Sequence, residues 1–131
     1  MSAVEGPDGD RVDILVVDDM PGQRMAVESV LAELGENVVA VESGREALRY
    51  LLDHDVAVIL LDVNMPEMDG METTRQIRRD PRSRHVPIIA VTAKAMKGDR
   101  EKCIEAGAWD YLAKPVDPEE LVAMLRAWLV R

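Results

Sequence analysis

Five times along this chain a short apolar, β-rich run alternates with a helical pattern, and that alternation leaves few folds open. The apolar runs cover residues 14–17, 38–41, 56–61, 88–91 and 111–113. The first helix follows Pro21, a favoured first-turn residue. Its apolar stripe is Ala26, Val27, Val30, Leu31 and Leu34, and Gly35 ends it. The second opens on the capping-box pattern Ser43-Gly44-Arg45-Glu46 and runs to about Leu52. The third covers about 71–79 and stops before Pro81. A weaker fourth spans about 98–105 and ends near Gly107. The fifth has Asp117 as its cap, Pro118 at the first position and Glu120 three residues after the cap, with Leu121, Met124, Leu125 and Trp128 on one face. Strand–helix alternation of this kind implies a parallel sheet with helices on both faces. Right-handed crossovers and short connections narrow it to a doubly wound sheet.

Such sheets bind ligands at the carboxyl ends of their strands, so the residues that end each run are informative. Residues 14–17 end in Asp18-Asp19, residues 56–61 in Asp62, residues 88–91 in Thr92, and residues 111–113 in Lys114-Pro115. An acid pair, an acid, a hydroxyl and a cation therefore fall on one sheet edge. Three carboxylates there repel one another. Two charges about 4 Å apart cost roughly 4 kcal/mol at an effective dielectric near 20, so a proton or a cation must relieve them. Hard oxygen ligands suit Mg²⁺. No His or Cys joins the cluster, which argues against zinc. A metal on three acids, beside a lysine and a hydroxyl, is the inventory for phosphoryl transfer, and an Asp can serve as nucleophile to form an aspartyl phosphate. Asp62 ends the run expected at the sheet centre and is assigned as phosphoacceptor; the adjacent Asp18 and Asp19 are better placed as metal ligands.

Composition bounds the alternatives. The chain has 131 residues, about one domain. The expected division is a flexible acidic tail over 1–11 and a folded unit over 12–131. No apolar run approaches the roughly 20 residues of a membrane span, and Met1 to Asp10 lacks the pattern of a secretory signal. A net charge of −9 opposes nucleic-acid binding, and the basic cluster Arg75, Arg78, Arg79, Arg82 and Arg84 reads as a solvated helix face with its following loop. Cys103 is the only cysteine. It fits a reducing, cytoplasmic setting and reads as a helix packing residue. His54 and His85 read as surface loop residues. A nucleotide enzyme is disfavoured because no Gly-rich P-loop is present. An aspartyl-nucleophile phosphatase is disfavoured because Asp18-Asp19 is not an Asp-x-Asp motif.

Val16-Val17-Asp18-Asp19, Leu61-Asp62 through Met65-Pro66-Glu67-Met68-Asp69-Gly70, Val91-Thr92-Ala93 and Asp110 through Lys114-Pro115 together resemble the receiver domain of two-component response regulators. The stretch from Ala95 to Cys103 resembles receivers of hybrid sensor histidine kinases in particular. The resemblance covers about 12–131 and implies a flavodoxin-like (βα)5 fold with strand order 2-1-3-4-5. It further implies that Asp62 takes a phosphoryl group from a phosphohistidine on a histidine kinase or histidine phosphotransfer protein. Asp19 and Asp62 are then expected to bind Mg²⁺ directly with the backbone carbonyl of Asn64, and Asp18 through water. Lys114 pairs with phosphoryl oxygens, Thr92 and Tyr111 switch, and the Lys114-Pro115 bond is cis. Asn64 and Lys94 border the phosphoryl site and tune hydrolysis. The surface from the fourth helix through the fifth strand to the fifth helix carries the signal, and the resemblance admits a homodimer through it.

On this reading the chain is a signalling module, not a turnover enzyme. It catalyses only its own phosphorylation and dephosphorylation. The alternative is an interaction module that has kept the fold and works without phosphorylation; the intact acids, Thr92 and Lys114 argue against it. Asp18-Asp19 also suit a cap for the first helix. Trp109 stands where this family commonly has a small or polar residue, and either fills a local pocket or anchors a partner. No output domain is expected after the fifth helix.

Overall fold

The computed structural model describes residues 13–33, 35, 37–65, 68–92 and 99–129. Five strands, β1 (Asp13–Val17), β2 (Asn37–Val41), β3 (Val58–Asp62), β4 (Ile88–Thr92) and β5 (Asp110–Ala113), form one sheet. All neighbours are parallel, in the order β2-β1-β3-β4-β5. The helices are α1 (Pro21–Ala32), α2 (Gly44–Asp53), α3 (Gly70–Arg79), α4 (Asp99–Ala106) and α5 (Pro118–Leu129). This is the doubly wound parallel sheet expected from the alternation, with the flavodoxin-like strand order that the resemblance implied. Among the described residues no helix is long and apolar enough to cross a membrane. The expected tail over 1–11 lies outside the described residues.

The strands read as continuous apolar runs because helices cover both faces of the sheet. Side chains alternate between the faces with period two. Leu15, Val17, Ile59 and Leu61 join the cluster that includes Ala47, Leu51 and Ile77 of α2 and α3. Ile14, Val16, Val58 and Leu60 join the one that includes Leu31 of α1 and Leu121 and Leu125 of α5. Each fully buried Leu, Ile or Val stabilises the fold by roughly 1.5–3 kcal/mol. Cys103 is buried in the first of these clusters, as its packing role requires.

Helix starts follow the capping chemistry closely. Ser43 Oγ accepts from Glu46 N at 3.1 Å, but the Glu46 carboxylate returns to Glu42 N at 3.0 Å, one residue beyond the capping-box position. α3 starts at Gly70, earlier than expected, because Asp69 caps it by accepting from Glu72 N at 2.9 Å. Asp117 accepts from Glu119 N at 3.1 Å at the start of α5. α1 departs from expectation: its N-cap is Met20, with no side-chain cap. The acid pair therefore does not cap α1, and Asp18 instead accepts from Met20 N at 2.9 Å in the turn before it.

Other expectations need correction. β3 begins at Val58 rather than Val56 and includes Asp62, which lies opposite Val91. Val56 is buried but outside the strand, and burial alone is what its hydrophobicity recorded. Ala26 is exposed, because α1 does not close fully over the sheet. A cavity of about 240 Å³, lined by Ala26, Val27, Val30, Leu112, Val116 and Leu121 among others, remains beneath it. Leu34 lies outside the described residues. Arg78 does not belong to a solvated basic face. It is half-buried and donates to the carbonyls of Gly107 at 2.9 Å, Arg84 at 3.0 Å and Val86 at 2.7 Å, tying the end of α3 to the turn before β4 and the turn between α4 and β5. Burial lowers its pKa.

Candidate functional site: an acidic cluster at the sheet edge

Strand register assembles the site. Val17 lies opposite Leu61, so Asp18 follows beside Asp62. Thr92 lies opposite Ala113, so Lys114 leaves the sheet one step further on. Lys114 N donates to Thr92 O at 2.7 Å and fixes that step. The Lys114-Pro115 peptide is cis. Gly70 brings α3 against the back of the phosphoacceptor candidate, since a Cβ there would overlap Asp62 O and lie 2.6 Å from Val63 Cα.

Asp18, Asp19 and Asp62 each offer a carboxylate oxygen within 4.8 Å of the others. Asp62 is only 2% exposed. Its Oδ1 accepts from Asn64 N at 3.0 Å and pairs with Lys114 Nζ at 3.0 Å. Lys114 lies farther from Asp18 Oδ2, at 3.9 Å, and donates to Gln23 Oε1 at 2.8 Å. Three carboxylates against one ammonium leave an excess of negative charge. Burial, opposed by the Met20 N–H and Lys114 and reinforced by the Asp62 and Asp19 charges, raises the Asp18 pKa.

Two acceptor atoms in this cluster, Asp19 Oδ1 and Asp62 Oδ2, are buried without a hydrogen-bond partner. An orphaned buried carboxylate oxygen is costly, and a hard divalent cation relieves both. The donor set is all carboxylate, with neither His nor Cys in the cluster, and so fits Mg²⁺ in preference to Zn²⁺.

Thr92 is 2% exposed, and its Oγ1 donates to Asn64 Oδ1 at 3.4 Å, a long bond beside the cluster. Tyr111 is half-buried and packs against the core. Lys94 and the stretch before Asp99 lie outside the described residues. Trp109 is 45% exposed, with its ring 5.3 Å from that of Trp128 and 5.6 Å from the Arg78 guanidinium carbon. It packs at the surface against Trp128 and Arg78. His85 is exposed, and His54 is exposed and stacked on Tyr50 at 4.1 Å. Reading by motif missed Gln23, which shapes the site, and quoted Gly70 without giving it a role. The available signals were a polar residue in the first turn of the helix after the acid pair, and a glycine where a helix must start against a strand end.

The family model of the response regulator receiver domain matches residues 14–126. The response regulator Rre1 of Synechocystis is 36% identical over 121 residues, which is 92% of this chain and 52% of the relative. The signal transduction histidine-protein kinase BarA of Shigella flexneri is 38% identical over 112 residues, 86% of this chain and 12% of the kinase. The chain thus spans about half, or much less, of the length of these relatives. Among solved structures, the receiver domain of a sensor histidine kinase from Pseudomonas aeruginosa superposes with a TM-score of 0.84 at 42% identity, covering 90% of this chain and 97% of that one. That domain holds a magnesium ion coordinated in its active-site cleft. A putative response regulator from Chloroflexus aurantiacus superposes with a TM-score of 0.88 at 34% identity, covering 93% of this chain and 100% of that one. With the family match spanning nearly the whole described chain and relatives among both response regulators and histidine kinases, this protein belongs to the response regulator receiver domain family.

Proposed function

We propose that this domain receives a phosphoryl group on Asp62 from a phosphohistidine of a histidine kinase or histidine phosphotransfer protein, and passes the signal on by a conformational switch. The observation that carries the reading is the carboxylate of Asp62, held by Lys114 and the Asn64 N–H on one oxygen and bare on the other. Asp18, Asp19 and Asp62, with the backbone carbonyl of Asn64, would hold Mg²⁺, which when bound neutralises charge on the phosphoryl oxygens.

The chain's own residues do the rest. A carboxylate oxygen of Asp62 attacks phosphorus. The P–N bond to the donor imidazole breaks, and its electron pair leaves with the imidazole. Lys114 follows the charge from the Asp62 carboxylate onto the phosphoryl oxygens. The product adds roughly one negative charge and new acceptor oxygens at Asp62. Thr92 Oγ1 then exchanges its long bond to Asn64 for a phosphoryl oxygen, and Tyr111 changes rotamer with it. Those contacts exist only in the phosphorylated arrangement, so they bias a two-state equilibrium. The output face is α4, β5 and α5, where a homodimer or another protein docks. On this reading the domain is a signalling module of the cytoplasm that turns over only its own phosphoryl group.

The test is intact mass after incubation with Mg²⁺ and a small acyl phosphate. Wild type is expected to gain one phosphoryl group and Asp62→Asn none. No gain with any donor would replace this reading with a phosphorylation-independent interaction module.

A further inference from the structure

The ammonium of Lys114 has three protons to place. Its acceptors are Gln23 Oε1 at 2.8 Å and Asp62 Oδ1 at 3.0 Å, with Asp18 Oδ2 farther off at 3.9 Å. The shortest contact goes to the neutral group. Two of these three neighbours are carboxylates of the acidic cluster, the farther an ion pair without a hydrogen bond, and lysine is a point charge on a flexible four-carbon stem. Charge alone therefore does not decide whether it rests on Asp62 or drifts to Asp18.

Gln23 supplies what charge does not. It stands in the first turn of α1, 91 residues from Lys114. α1 begins without a side-chain cap, so the Gln23 amide is not spent there. Gln23 is exposed and has no part in the core. A neutral amide holds an ammonium by direction and leaves its charge available to a newly arriving anion. A carboxylate in the same place would compete with that anion.

We infer that Gln23 is a positioning residue for phosphoryl transfer: it anchors Lys114 on the Asp62 side of the cluster, where the ammonium meets the incoming phosphoryl oxygens. This rests on the phosphoacceptor reading of Asp62. It also couples α1 to the turn that joins β5 to α5, so anything that displaces the first turn of α1 loosens Lys114.

The test is a double-mutant cycle of Gln23→Met and Lys114→Met. The readout is the rate of phosphoryl gain from acetyl phosphate at saturating Mg²⁺, at donor concentrations that give a measurable rate for every variant. Gln23→Met is expected to slow phosphorylation about tenfold, the scale of one hydrogen bond to a charged group. In the Lys114→Met background it is expected to have no further effect, because the group it positions is gone. A wild-type rate in Gln23→Met would overturn the inference. So would equal slowing in both backgrounds, which marks a general effect on the fold. If wild type itself gains no phosphoryl group, the parent reading fails and this one with it. If wild type reacts and Gln23→Met matches it, only the role of Gln23 fails.

Discussion

Replacing Arg78 by Met should destabilise this domain by about 2–3 kcal/mol, although the residue sits in what looks like a solvated basic cluster. The side chain donates to three backbone carbonyls, at Gly107, Arg84 and Val86, and its guanidinium lies 5.6 Å from the Trp109 ring centre. Each hydrogen bond contributes roughly 1 kcal/mol net, and the partly exposed cation–π contact adds about 0.5–1 kcal/mol. Against that stands the burial of a guanidinium with one nitrogen, Nη2, lacking a partner. Met keeps the apolar stem, so packing loss is small. For a chain of 131 residues the deficit corresponds to a fall in melting temperature of roughly 10 °C, read by far-UV circular dichroism. Lysine offers a single ammonium and cannot span three carbonyls, so Arg78→Lys should recover less than half of the loss. The reasoning is refuted if Arg78→Met melts within about 2 °C of wild type, an effect below that of one hydrogen bond, or if lysine restores stability in full.

Asp18→Asn should raise the metal-free melting temperature and weaken Mg²⁺ binding, measured by melts and calorimetry. Because the folded-state pKa of Asp18 lies above its ordinary 3.8, the ionised form opposes folding; the advantage of the Asn variant is greatest above the raised pKa and disappears as pH falls below 3.8. Gly70→Ala forces a Cβ against the Asp62–Val63 backbone. It should slow phosphorylation of Asp62 while lowering stability, and normal rates would show that α3 can move aside. Ser43→Ala removes the acceptor for Glu46 N and should cost about 1 kcal/mol in chemical denaturation, with no effect on phosphorylation.

The order of elements, the parallel sheet and the identity of the acidic cluster were legible in the sequence. Their signals are local: apolar runs with a chemically distinct residue at each end, and caps within three residues of the helix they start. Asp18, Asp19, Asp62, Thr92 and Lys114 each follow or end a strand, and in a parallel sheet all such ends share one edge. The same local reading erred at Val56, which is apolar because it is buried rather than because it is in a strand. It erred at Arg78: the other arginines of its cluster, Arg75, Arg79, Arg82 and Arg84, are exposed, while its own side chain turns inward.

What only the tertiary structure decided is which groups meet across the chain. Gln23 reaches Lys114 over 91 residues, and no periodicity records that distance. Gly70 is required by the backbone of Asp62 behind it rather than by its own helix. The bare oxygens of Asp19 and Asp62 emerge only after every other donor has been placed. Propensity and capping act over a few residues, so sequence carries them. Hydrogen-bond partners and close approaches depend on helices and strands docking at fixed distances, which exist only once the whole sheet is covered.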